Sequence, residues 1–166
     1  MMKLWLFTLI LSVTAVAQSP NISVHTHDNP DLIDGSKTPD AIPDSTAWRL
    51  WLLSVTAKDP KHPELDQVRE DNYLLIAGYE EEDLPLVRQV VNDFRMAYDS
   101  MLEEHNAANA AGLNPSLKSL KARRDSMVSE ARASLLSGKS ETAERVKKFI
   151  NGEKKRMKVS KTEVQP

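Results

Sequence analysis

From residue 84 onward the apolar positions fall alternately three and four apart: Leu84, Val87, Val91, Phe94, Tyr98, Met101, His105 and Ala108. That spacing is a heptad seam, and it predicts one long helix from Leu84 to Ala110. Pro85 stands in the first turn, where its missing N–H costs nothing, and Glu80 to Asp83 just ahead complement the helix dipole. Gly112 suits the left-handed residue that ends a helix, and Asn114-Pro115 suits the cap and first residue of the next one. A fourth helix from Pro115 to Ser137 carries the inward set Leu117, Leu120, Arg124, Met127 (or Val128), Ala131 and Leu135. Folding the pair about Gly112 sets Leu117 opposite Ala108, Leu120 opposite His105, Met127 opposite Tyr98 and Ala131 opposite Phe94. In the last pair small faces large, as interdigitated packing requires. Arg124 falls opposite Met101, where its stem packs and its guanidinium reaches Asp99, Glu103 or Glu104, pinning the register of the hairpin.

Three further helices flank this hairpin. Asp44, after Pro43, reads as the cap of a first helix through Val55 that is apolar almost all round apart from Arg49, the mark of a helix buried on most sides. Asp59-Pro60-Lys61-His62-Pro63 stops it. A second helix covers Glu64 to Ala77, with Leu65, Val68, Tyr73 (or Asn72), Leu75 and Ile76 as its apolar set and Gly78 as its end. Ser140 caps a fifth helix, Glu141 to about Lys158, with Ala143, Val146, Phe149, Ile150 and Met157 on one side. No alternating run of strand length stands between turn signals. The fold class expected is all-α: four to five helices with a long antiparallel helical hairpin, an elongated bundle.

The remaining apolar run lies at the start. Lys3 precedes Leu4 to Val16, and Ala15-Val16-Ala17 supplies the small-x-small pattern of a signal peptidase site. Residues 1–17 therefore read as a signal peptide cleaved after Ala17, which places the working chain in the periplasm or outside the cell; the rival reading keeps the segment as an uncleaved anchor. Residues 18–43, punctuated by Pro20, Pro30, Pro39 and Pro43, read as an extended or disordered leader. The helical domain is then 44–160, with a tail at 161–166. No second run approaches the roughly 20 apolar residues of a spanning helix, so stable membrane insertion after cleavage is not expected. The chain of 166 residues has no cysteine. An exported fold of this kind stands on its core, without disulfides, a thiol nucleophile or a lipid-bearing cysteine.

Charge is uneven. Asp59 to Glu104 holds 13 acidic and 4 basic residues, while Lys139 to Pro166 holds 9 basic and 4 acidic. With a net charge of −2 the whole chain is not a nucleic-acid binder in character. Lys154, Lys155, Arg156 and Lys158 form a candidate basic surface, for which an anionic lipid surface, an envelope polyanion or the chain's own acidic helices are the fitting partners; a solvated helix end is the plainer alternative. Trp48, Trp51, Leu52 and Val55 are either core anchors or, if their helix is exposed, a binding patch.

Other candidate chemistry is thin. Ser137-Gly138-Lys139-Ser140 lacks the earlier glycine and the strand of a phosphate loop, and reads as a helix stop and start. His25, His27 and Asp28 lie in the leader, with no rigid shell to fix metal geometry. In the acidic Asp28 to Asp40 stretch, aligning Gly35 with the glycine of a calcium loop puts Pro30 and Leu32 at the first ligand positions and Ala41 where the bidentate acid should be, which rules out that loop. His105 has no second histidine at zinc-helix spacing and reads as a packed seam residue. No catalytic, cofactor or metal site is expected.

Ile42 to Trp51, the Asp93-Phe94 helix and Glu153 to Lys158 together resemble a family of exported, all-helical proteins of acidobacterial type. The resemblance covers most of the chain after residue 17, implies an exported helical domain, and carries no activity with it. In style the chain is loosely similar to the helical periplasmic chaperones of the Spy and CpxP type, although it lacks their repeated Leu-Thr-x-x-Gln motif. The function expected is a non-enzymatic binding or interaction protein, chaperone-like or tied to envelope stress, whose partner is a protein or an envelope component. The alternative is a structural envelope protein forming a homodimer through the 84–108 seam.

Overall fold

A computed structural model describes residues 31–164. Residues 1–17, expected to be a signal peptide, residues 18–30 and the His25–Asp28 cluster lie outside the described residues. The fold is all-α: α1 (Asp44–Val55), α2 (Asp66–Ala77), α3 (Leu84–Ala110), α4 (Leu117–Leu135) and α5 (Ser140–Glu153), with a last turn α6 (Lys161–Val164). A two-stranded ribbon, β1 (Leu32–Asp34) with β2 (Lys158–Ser160), closes the chain.

α1 is the hub. It packs against α2, α3, α4 and α5, as an all-round apolar helix must. Trp48 and Leu52 are almost completely buried, and the Trp48 and Trp51 rings meet edge to face at 5.6 Å. The Arg132 guanidinium lies 5.7 Å over the Trp48 ring, a cation–π contact that joins α4 to α1.

The hairpin forms between α3 and α4. Leu84, Val87, Val91, Phe94 and Met101 of the seam are buried. On α4 they face a stripe led by Val128, Ala131 and Leu135. Phe94 and Ala131 line one hollow, and His105 and Leu120 another, in keeping with those two pairings of the expected hairpin. Over Leu84 to Met101 the seam is filled largely from within the chain. The turn uses Gly112 at φ 73° and Asn114 at φ 43°.

Several local expectations need correction. Ser116 caps α4 through an Oγ that accepts the Ser119 N–H at 3.4 Å, so the helix begins two residues after Pro115 and Leu117 swings out to 67 % exposure. Arg124 pairs with its neighbour Asp125; the bridge across the hairpin is made one residue earlier, by Arg123 to Glu104, whose carboxyl that partner holds below the usual range. Asp44 is the first helical residue, and Pro43 precedes it as the cap. α5 stops at Glu153, and a 3-10 turn then leads into β2. The leader also joins the domain: Ile33 pairs with Val159, and Ile42 is fully buried. Three-residue strands are too short to show alternation, which is why neither was read from the sequence.

Candidate functional site

α2 is built inside out. Its buried face consists of Glu70, Leu74 and Ala77. Leu65, Val68, Tyr73, Leu75 and Ile76 point outward, with exposures of 50, 57, 42, 36 and 69 %. An exposed apolar side chain is ordinary on its own; four on one 12-residue helix, with Leu65 directly ahead of it, are not.

Polar contacts decide which way the helix turns. Glu70 Oε1 accepts from Asn92 Nδ2 at 3.1 Å, and Asp71 pairs with Arg88 at 3.0 Å, so two acids fasten α2 to α3. At its start Arg69 bridges Asp66 and Asp59 and donates to the Ala57 carbonyl at 3.2 Å, holding the α1–α2 loop. At its end Gly78 takes φ 111°. A Cβ there would stand 2.8 Å from the Arg145 Cβ, and Arg145 Nε donates to the Gly78 carbonyl at 3.0 Å. Arg145 and Lys139 then share Glu80, whose carboxyl those cations hold below its ordinary range. The Gly-Lys-Ser triplet thus serves as a junction between helices, with Lys139 bound to Glu80 and Glu82.

Burial raises the Glu70 carboxyl above its ordinary 4.5, against the opposing charge of Lys58 and the Asn92 hydrogen bond. The folded state therefore keeps a proton that the unfolded chain releases first. Between pH 4.5 and the raised folded value, stability falls as pH rises. Glu70→Gln retains the acceptor and removes the ionisation. It should melt at an equal or higher temperature than the parent at pH 7 and lose that decline; thermal unfolding across this pH window checks it, and a lower melting point at pH 7 would contradict it.

Beyond Ile76 the outward face runs into a groove of about 500 Å³ between α2 and α5. Ile76, Ala77 and Phe149 supply its apolar lining, and Arg145, Lys148 and Arg156 its cations. Arg145 and Arg156 are matched by Glu80, Glu141 and Glu153, which leaves Lys148 as the exposed cation of this rim with no acid against it among the described residues. The surface is therefore an apolar stripe with a positive end, suited to holding another molecule by contact.

The residues singled out from sequence lie elsewhere. Trp48, Trp51, Leu52 and Val55 are at most 4 % exposed; they are core and present no patch. Lys154 is buried and donates to Asp44 at 2.6 Å, so the basic cluster is split. Lys155, Arg156 and Lys158 stay at the surface, and Arg156 is tied to Glu153. Among the described residues no group of three His, Asp or Glu is placed to hold a metal ion, and no helix is long and apolar enough to cross a membrane. The α2 face was legible only in part. Its apolar residues are evident, but their direction depends on Arg88 and Asn92, a turn apart on α3, meeting Asp71 and Glu70. No protein-family model, curated protein or solved structure matches the chain.

Proposed function

We propose that this chain is an exported, non-enzymatic interaction protein that holds a protein partner on the outward face of α2. The observation that carries this reading is the stripe itself: Leu65, just ahead of α2, and Val68, Tyr73, Leu75 and Ile76 on it stay in water while the opposite face of α2 is anchored by Glu70 and Asp71. Leaving large apolar side chains in water forfeits about 25 cal/mol for each Å² that burial would recover. A partner offering apolar segments recovers it. Capture of exposed apolar segments, a chaperone-like activity, suits a stripe that has an adjoining open groove.

The test is suppression of light scattering from reduced α-lactalbumin by the purified protein. The parent should delay aggregation at a small molar excess. Ile76→Asp, at a position 69 % exposed, should lose most of the effect, while Leu117→Asp on the distant hairpin tip should keep it. A parent that leaves the scattering curve unchanged, or an Ile76→Asp protein as effective as the parent, overturns the reading.

A further inference from the structure

We infer that the resting occupant of the α2 face is a second copy of this chain, docked antiparallel about a twofold axis that passes the midpoint between Glu70 and Asp71. This deepens the reading of that face as a docking surface, on which it rests.

The residue order carries the argument. Leu65 ends the 3-10 turn Pro63–Leu65 that leads into α2; with the helix carried back through that residue at about 100° per residue, Leu65 falls within about 40° of Asn72 and Ile76. Val68 and Leu75 flank that line on one side, and Arg69 and Tyr73 on the other. Leu65 and Ile76 stand equidistant from the Glu70–Asp71 midpoint, as do Arg69 and Asn72. A twofold contact is self-complementary by definition: whatever residue i meets, the partner meets in return. Reversing one copy sets Leu65 against the partner's Ile76 at both ends of the contact and Val68 beside the partner's Leu75. Every large aliphatic side chain of the stripe then has an aliphatic counterpart. Asn72 approaches the partner's Asn72 across the axis, where two amides can hydrogen-bond to each other.

Charge selects the same direction. Exposed Glu64 stands at the start of the stripe, and Lys148 rims the groove beyond its end. Antiparallel docking brings Glu64 to the partner's Lys148 twice over, whereas parallel docking sets like ends together. The length of α2 sets the strength. Twelve residues span only about 18 Å, too little for the roughly 1,200–2,000 Å² of a stable interface. The pair is therefore weak and concentration-dependent, and an apolar client can displace it.

Sedimentation velocity of the full chain across the micromolar range, with circular dichroism to confirm folding, reads the pairing directly. The parent should pass from monomer to dimer. Ile76→Asp should raise the dissociation constant by at least an order of magnitude, and Leu117→Asp should not. Lys148→Glu should weaken the dimer, and adding Glu64→Lys should restore it. Since the chain has no cysteine, single introduced thiols report geometry. Asn72→Cys should oxidise to a disulfide-linked dimer at least an order of magnitude faster than Leu65→Cys, because the two copies of Leu65 lie about 16 Å apart along the axis, beyond disulfide reach. A chain that stays monomeric, or equal crosslinking at the two positions, or no restoration by the second charge reversal, overturns the pairing. If that monomer still suppresses aggregation, the docking surface stands and its occupant is a different protein.

Discussion

Trp48→Ala should destabilise the domain by about 3–5 kcal/mol, the range for deleting a buried aromatic side chain. Trp48 is 2 % exposed and stands where α1 meets its four neighbouring helices. Removing the indole empties the centre of the core, takes away the edge contact with Trp51 and leaves Arg132 without the ring it covers. Arg132 also lies 3.6 Å from Asp44, so the loss spreads to the start of the same helix. Urea unfolding of the parent, Trp48→Ala and Ile76→Ala gives the comparison. Ile76, at 69 % exposure, should change stability by no more than about 0.5 kcal/mol. A Trp48→Ala protein within 1 kcal/mol or so of the parent would place the tryptophan at a surface, as a binding patch requires, and would contradict its burial.

That contrast marks where the sequence was informative. α1 could be placed because an all-round apolar helix has one comfortable location, the middle. α3 could be placed because a seam repeated through Leu84, Val87, Val91, Phe94 and Met101 fixes one face over about five turns, and its small-large match with Ala131 fixes the partner. α2 defeats the same rule. Its apolar residues would ordinarily mark the buried face, yet two acids on the other side find Asn92 and Arg88, and Leu74 with Ala77 suffices to seal the contact. Burial was decided by partners on another helix, which no periodicity within α2 contains. The basic cluster failed for a related reason. Lys154 leaves its neighbours because Asp44, 110 positions away, accepts its ammonium. The candidate surface is therefore a product of long-range polar pairing, and the core a product of local pattern.

The ribbon that joins the two ends of the domain supplies the second large effect. Gly35 is buried at the turn after β1, and its N–H donates to the Met157 carbonyl at 2.9 Å. A Cβ at Gly35 would lie 1.8 Å from the Lys154 carbonyl oxygen and 3.0 Å from Ile42 Cδ1. The first of these is backbone and cannot rotate away. Gly35→Ala must therefore push the leader off the 154–157 segment. Overpacking of this kind costs about 1–3 kcal/mol, occasionally more. Gly138→Ala, with open space around it, should be neutral. The damage should also be local and visible in acid. Lys154 holds the Asp44 carboxyl below its ordinary 3.8 by a hydrogen bond and by its charge. That contribution is present above the unfolded value and is lost as pH falls through the folded one. Displacing the Lys154 backbone loosens the pair, so the Gly35→Ala protein should show a shallower loss of stability below pH 3.8 than the parent. Limited proteolysis should cut it first within residues 31–43, while the hairpin stays intact. An alanine protein that resists the protease and keeps the parent's acid limb would mean that the leader does not approach Lys154 at all. Ile42 would then need another route into the core, which the Ile33–Val159 register does not provide.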